Sequence, residues 1–205
     1  MYSGRNNLII GFHGCDESVC HSLLNQPEKI EKSEKPYDWL GHGMYFWENN
    51  YDRAFEWAKD KAKRGEIVKP AVIGAILSLD YCFDLLDARY IKMIQVYHSL
   101  MVDSYTVLGR EIPTNKDPKT VSHKDKILRY LDCAVIEFMH DTISDQISKN
   151  NASTLKQFDS TRGVFTEGGP AFEGAGIMLK SHIQICIRNQ NCIKGFFLPR
   201  KPIDF

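Results

Sequence analysis

The residues able to do chemistry gather near the two ends of this chain. In Gly11-Phe12-His13-Gly14-Cys15 a histidine stands where the apolar run Leu8-Ile9-Ile10 ends and the backbone turns at a glycine. A lone histidine there is a structural residue unless other groups face the same cleft. Cys15 with His13 or His21 would make a thiol–imidazole pair, but no third group orients the base, which argues against a cysteine nucleophile. The seven histidines are scattered without paired spacing, so the sequence offers a metal ion no ligand set. The segment "GPAFEGAG" (169–176) is glycine-rich. It follows no convincing strand and lacks the Lys-Ser/Thr ending of a phosphate-binding loop.

Positioning these residues requires particular elements. A first strand carries His13 to its end, and Asp16-Glu17-Ser18 caps a short helix with Val19, Leu23 and Leu24 on one side. Residues 26–38, polar with two prolines, read as a loop. Gly43-Met44-Tyr45-Phe46 then gives a turn and a short aromatic strand, and Asn49-Asn50 suits a helix cap. Tyr51, Ala54, Phe55, Ala58 and Ala62 recur at helical spacing up to a basic last turn and Gly65. The near-continuous apolar run 71–79 fits a buried strand. Residues 88–108 and 124–148 are expected to be helices, the second buried along Leu128, Leu131, Val135 and Phe138, with a solvated loop at 113–124. Residues 150–181 are polar and glycine-rich, with an irregular loop expected at 167–177, and 182–189 and 192–199 read as two strands joined by a turn at Asn189-Gln190-Asn191. Strands at both ends with helices between them predict an α+β fold with a mostly antiparallel or mixed sheet.

Composition sets outer bounds. The 205 residues suit one domain, 43% hydrophobic and 25% charged, with a formal net charge of zero. Bulk charge therefore gives no reason to expect tight nucleic-acid or membrane binding, although a local basic strip would keep nucleic acid open as a substrate. Six cysteines without any C-x-x-C read as reduced thiols, hence a cytoplasmic setting. No apolar run has the length of a membrane span, and the first residues hold too short an apolar core for a secretory signal.

Together, Phe12-His13-Gly14, Gly43-Met44-Tyr45-Phe46, the run 71–79 and the strand around Gln184 resemble the ADP-ribosyltransferase superfamily. The likeness is to its poly(ADP-ribose)-polymerase-like, diphtheria-toxin-like branch, which reads His, Tyr and Glu from three separate strands. It covers about 70 residues at both ends, while the middle, about 85–160, matches nothing and is read as a helical insertion in a single 1–205 catalytic domain. The resemblance implies a split, two-sheet core that clamps NAD, a co-substrate, in a cleft. His13 would hydrogen-bond the adenosine ribose hydroxyls, and Gly14 would open its backbone to the nicotinamide carboxamide. Tyr45 would stack on the nicotinamide, with Phe46 beside it as packing or a second wall. Cys15 and Gly43 complete the expected cofactor-binding set.

One position departs from the family. Gln184 stands where its catalytic glutamate would be, and an amide brings no charge to the ribose cation formed in the reaction. A carboxylate about 4 Å from that cation is worth roughly 4 kcal/mol at an effective dielectric near 20, so its loss is expected to slow the reaction by powers of ten. The segment "EGGPAFEGAGI" (167–177) precedes the closing strand and holds two glutamates. Glu173 is preferred as the missing carboxylate, because Phe172 beside it would anchor the loop, and Glu167 is less favoured. The expected catalytic set is Tyr45, Gln184 and Glu173, with His42 and His182 as second-line candidates.

The implied activity is NAD-dependent mono-ADP-ribosyl transfer to a macromolecule, protein or nucleic acid, by a toxin, effector or defence protein. The helical insertion is expected to recognise the target or an inhibitory, antitoxin-like partner. Two alternatives use the same site: an NAD glycohydrolase, in which water replaces the acceptor, and a catalytically silent NAD or ADP-ribose binding module.

Overall fold

The computed structural model describes residues 7–118, 125–150 and 154–200. In chain order the first half comprises β1 (Ile9–Asp16), α1 (Glu17–Asn25), β2 (Met44–Glu48), α2 (Tyr51–Lys63), β3 (Pro70–Leu77) and β4 (Cys82–Asp84). Then follow α3 (Ala88–Val107), α4 (Tyr130–Lys149), β5 (Ser160–Phe165), β6 (His182–Ile187) and β7 (Ile193–Phe197). The fold is α+β, with one seven-stranded mixed sheet in the order β4-β5-β6-β2-β1-β3-β7. Among the described strand pairs of this sheet, only β4–β5 is parallel.

Two features of this sheet shape the candidate site. First, β1 pairs with β3 over its whole length but meets β2 only at Gly11–Glu48 and Phe12–Trp47. Beyond Phe12 the two strands part. Second, β6 and β7 lie four strand spacings apart, about 19 Å in a flat sheet, yet only residues 188–192, with a 3-10 turn at Gln190–Cys192, join them. The sheet must therefore curl. One face of the sheet holds the main core, with Phe46, Ile73, Leu77, Ile185 and Ile187 packed under Cys20 and Leu23 of α1.

The helices follow their sequence signals. Asp16 caps α1 by accepting from Ser18 N, and Asn50 caps α2 by accepting from Arg53 N. Ala54 and Ala58 bury α2 against the opposite sheet face, where Trp47, Val72 and Phe12 receive it. The approach is close enough that a Cβ on Gly14 would fall 2.1 Å from the Ala54 carbonyl oxygen. Helices α3 and α4 pack around Phe83, Met139, Ile143 and Phe158.

Several expectations are corrected. The final two strands form with the expected turn between them, yet they do not pair with each other, because β7 crosses to the far edge and pairs with β3. Strand β5 lies in the polar stretch 150–181, just before the expected loop at 167–177, and no sequence pattern marks it. Its Arg162 is buried on Glu48 (Nε–Oε2 2.6 Å) and Asp84 (3.4 Å), tying β5 to β2 and β4. Helix α4 begins at Tyr130, after a backbone bridge between Lys116 and Leu128, and residues 119–124 of the expected loop and helix start lie outside the described residues. Its buried side is Cys133, Val135, Ile136, Met139, His140 and Ile143, so Leu131 and Phe138 sit at the margin of that face. In α1, Cys20 takes the inward place expected of Val19. All six cysteines are free and buried. Among the described residues no helix is long and apolar enough to cross a membrane.

Candidate functional site

Strand alternation sorts the expected residues before any contact is considered. Tyr45 and Trp47 share one face of β2, and the register sets Tyr45 opposite Cys186 and Trp47 opposite Gln184. Tyr45, Trp47, His182 and Gln184 therefore share one sheet face. Phe46 points the other way into the core and has no exposed surface, so it is neither a wall nor a ligand contact. Cys15 is likewise a core residue, with Sγ 3.5 Å from Cys20 Sγ, and this neighbour together with burial pushes its thiol pKa up. Gly43 is needed for packing against β6, since a Cβ there would sit 2.5 Å from Cys186 Sγ. Packing against α2 likewise accounts for Gly14.

His13 occupies the gap where β1 and β2 part. Its Nδ1 lies 2.8 Å from the Tyr45 carbonyl oxygen. A carbonyl only accepts, so Nδ1 carries the proton and Nε2 is left with its lone pair. Burial lowers the pKa of the ring, partly offset by this bond, and keeps it neutral. Its register partner Ile73 puts the ring on the core side, 5.8 Å from the Phe46 ring and across the sheet from the Tyr45 ring. Tyr45 uses its hydroxyl locally, donating to Gly41 O (2.6 Å) and accepting from Leu40 N (2.8 Å). Burial raises the phenol pKa well above its ordinary value, so only the ring face is available to a ligand.

Gln184 and His182 form a directed pair on β6. His182 Nδ1 lies 2.8 Å from Lys180 O and must donate to it, leaving Nε2 as the acceptor for the Gln184 amide N–H at 3.2 Å. The Gln184 amide oxygen is then the acceptor left for a ligand. Burial pushes the His182 pKa down to about 4, between the rings of Trp39 (6.2 Å) and Phe165 (5.9 Å).

The loop after β5 returns to β6 through Lys180 N–H bonding to Glu167 O, and this fixes Glu167 at its base. The Glu167 carboxylate lies 4.0 Å from His182 Nδ1 and pairs with Arg53 from the first turn of α2. Burial raises its pKa, with Arg53 opposing. Glu173 stands instead at the exposed outer end of this loop, beside Gly174, around which a Cβ would meet nothing. Phe172 is 65% exposed and anchors nothing. His42 is held structurally, its N–H on Glu137 Oε1 (2.7 Å) and its ring 3.4 Å from Oε2, while Arg188 grips the same carboxylate.

Two further residues, Trp47 and Arg53, border the site without any motif that marks them. Trp47 faces Gln184 across the strand pair, and its indole N–H is buried without an acceptor among the described residues. The i, i+2 spacing from Tyr45 was the available signal. Arg53 had none, because its partner Glu167 lies 114 positions away. Comparison with family models, with curated proteins and with solved structures finds no match for this chain.

Proposed function

We propose that the chain is an NAD-consuming mono-ADP-ribosyltransferase, with the dinucleotide laid where β1 and β2 part. One observation carries this reading. His13, Tyr45 and Gln184 come from three neighbouring strands, β1, β2 and β6, and β1–β2 pairing stops just before His13 and Tyr45. The dinucleotide passes through the gap between β1 and β2, so that His13 Nε2 on the core side accepts from a hydroxyl of the adenosine ribose while the Tyr45 ring on the opposite face contacts the nicotinamide. The Gln184 oxygen accepts from the 2′-hydroxyl of the nicotinamide ribose.

The bond between that ribose and nicotinamide then breaks, with its electron pair leaving on nicotinamide. The acceptor nucleophile closes on the same carbon and releases its proton to solvent. Glu167 is the carboxylate at the base of the adjoining loop, and its pairing with Arg53 mutes the charge it offers to the ribose cation. Transfer of single units follows, because chain extension needs a bound ADP-ribose held against an uncompensated carboxylate.

The test is nicotinamide release from NAD, together with labelled NAD incubated in whole-cell extract. Release that is lost in His13→Ala and Gln184→Ala, with label resisting removal from macromolecules, is expected. Label recovered only as free ADP-ribose would make the protein an NAD glycohydrolase. NAD binding without release would make it a silent binding module.

A further inference from the structure

Adjoining this site, with Trp39 and Phe165 as shared walls, a cavity of about 650 Å³ lies between α3, α4 and the β5 segment 163–165. Its walls are largely apolar, with Trp39, Ile91, Ile94, Ile136 and Phe165 among them. The sheet edge beside it is unpaired. Strand β4 covers β5 only from Ser160 to Arg162, after which the chain turns away into α3. Leu85 N–H donates to Arg162 C=O (2.8 Å), so the backbone groups of Arg162 point toward this edge. Two residues on, Val164 must point its N–H and C=O the same way, and neither has a partner among the described residues. Its side chain is 53% exposed, and Ile91 of α3, which lines the same cavity, is exposed as well. An open edge beside uncovered apolar surface is a template for another strand.

We propose that this edge and cavity receive an extended peptide segment of the acceptor protein, its backbone pairing with Val164 and one apolar side chain entering the cavity. Calling the peptide an acceptor rests on the ADP-ribosyl-transfer reading; its binding does not. A peptide supplies the backbone donor and acceptor that Val164 lacks, at strand spacing. The charge in the cavity is already balanced. Arg129 lies over the Trp39 and Phe165 rings at 4.4 and 4.8 Å and pairs with Asp132 at 3.3 Å, so no free cation invites a phosphate chain. The location fits the chemistry. Gly163 faces Gln184 in the register, so a strand added to β5 runs two strand spacings, about 10 Å, from Gln184. A long nucleophilic side chain spans that distance.

The test pans the full chain, without NAD, against phage-displayed random dodecapeptides and measures resynthesised hits by fluorescence polarisation. Binding is expected to weaken about tenfold or more in Val164→Pro, which removes an edge N–H and leaves the pairing to β6 intact. A similar loss is expected in Ser99→Trp, which fills the cavity from its exposed rim. N-methylation of the peptides should weaken binding at the position whose N–H meets the Val164 carbonyl and not at its immediate neighbours. Should Val164→Pro fail to fold, Ser99→Trp and the N-methyl series decide the matter.

Equal binding by both variants, no N-methyl dependence, or no selectable peptide would overturn the proposal. So would a single-stranded RNA oligonucleotide whose binding Ser99→Trp blocks and Val164→Pro does not. Nicotinamide release is measured separately. Its absence with peptide binding intact counts against the NAD reading alone, and the reverse pattern against the peptide site alone.

Discussion

Replacing Gln184 by Glu puts the contact between residues 182 and 184 to a numerical test. The amide nitrogen of Gln184 and Nε2 of His182 are 3.2 Å apart. A carboxylate at that distance from an imidazolium is worth about 5 kcal/mol at an effective dielectric of 20. That corresponds to roughly three to four pH units of added proton affinity for the ring, before desolvation of the new carboxylate takes part of it back. In the wild type, burial holds His182 at about 4, below its ordinary 6.5. The unfolded chain therefore takes up the proton first. Stability is full above pH 6.5 and falls as pH drops toward 4, by about 3 kcal/mol from this residue.

In Gln184→Glu the pair titrates as a unit, the imidazolium persists to near neutral pH, and this acid-side loss is largely abolished. The assay is the pH dependence of the His182 ring resonances by NMR, with urea midpoints measured over the same range. Nicotinamide release by the variant should rise with pH through the new midpoint, where the carboxylate loses its compensating cation. A His182 midpoint unmoved by the substitution would refute the contact. A wild-type midpoint near 6.5 would refute the burial on which the magnitude depends.

Other perturbations separate packing from chemistry. Glu167→Gln should slow nicotinamide release by one to two powers of ten, with NAD affinity little changed, the muting by Arg53 being why the effect falls short of a free carboxylate's. Glu173→Gln should leave both quantities unaltered; loss of turnover there, with Glu167→Gln active, would return the role to the exposed end of the loop. Gly14→Ala should cost about 3 kcal/mol in urea unfolding, since the new methyl meets backbone rather than a movable side chain 2.1 Å away. Tyr45→Phe strips the partner from Leu40 N and Gly41 O and should cost about 1–3 kcal/mol of stability, with less effect on NAD affinity than Tyr45→Ala.

Much of the fold was legible because its signals are local. The caps at Asp16 and Asn50, the alanine spacing of α2 and the apolar run of β3 act within a few residues, and each formed as its pattern required. Strand β5 was hidden because Ser160-Thr161-Arg162-Gly163 places a charge and a glycine inside the run. The charge is satisfied by Glu48, 114 residues earlier, and by Asp84, 78 residues earlier, and no window of sequence contains those partners. The crossing of β7 to β3 was hidden for the same reason. Local order favours a hairpin, and only the curl of the sheet brings β3 within reach.

The carboxylate shows how adjacency in sequence misleads about a site. The sequence favours Glu173, whose aromatic neighbour should anchor it, yet anchoring in this loop comes from its stem. There the Glu167 backbone pairs with Lys180, and its side chain meets Arg53. A stem residue inherits the rigidity of β5 and β6, whereas residues at the outer end inherit only solvent. That stem gives the proposed reaction its character. His13 and His182 are held neutral by burial, Tyr45 keeps its proton, Gln184 carries no charge, and Glu167 is matched by a cation. In the proposed reaction such groups, set on both sides of the gap, would fix the ribose by hydrogen bonds and add little charge stabilisation, so the departing nicotinamide and the incoming nucleophile must supply most of the driving force. Under that constraint the placement of the acceptor governs the rate, and the open edge at Val164, two strands from Gln184, is where the fold leaves room for it.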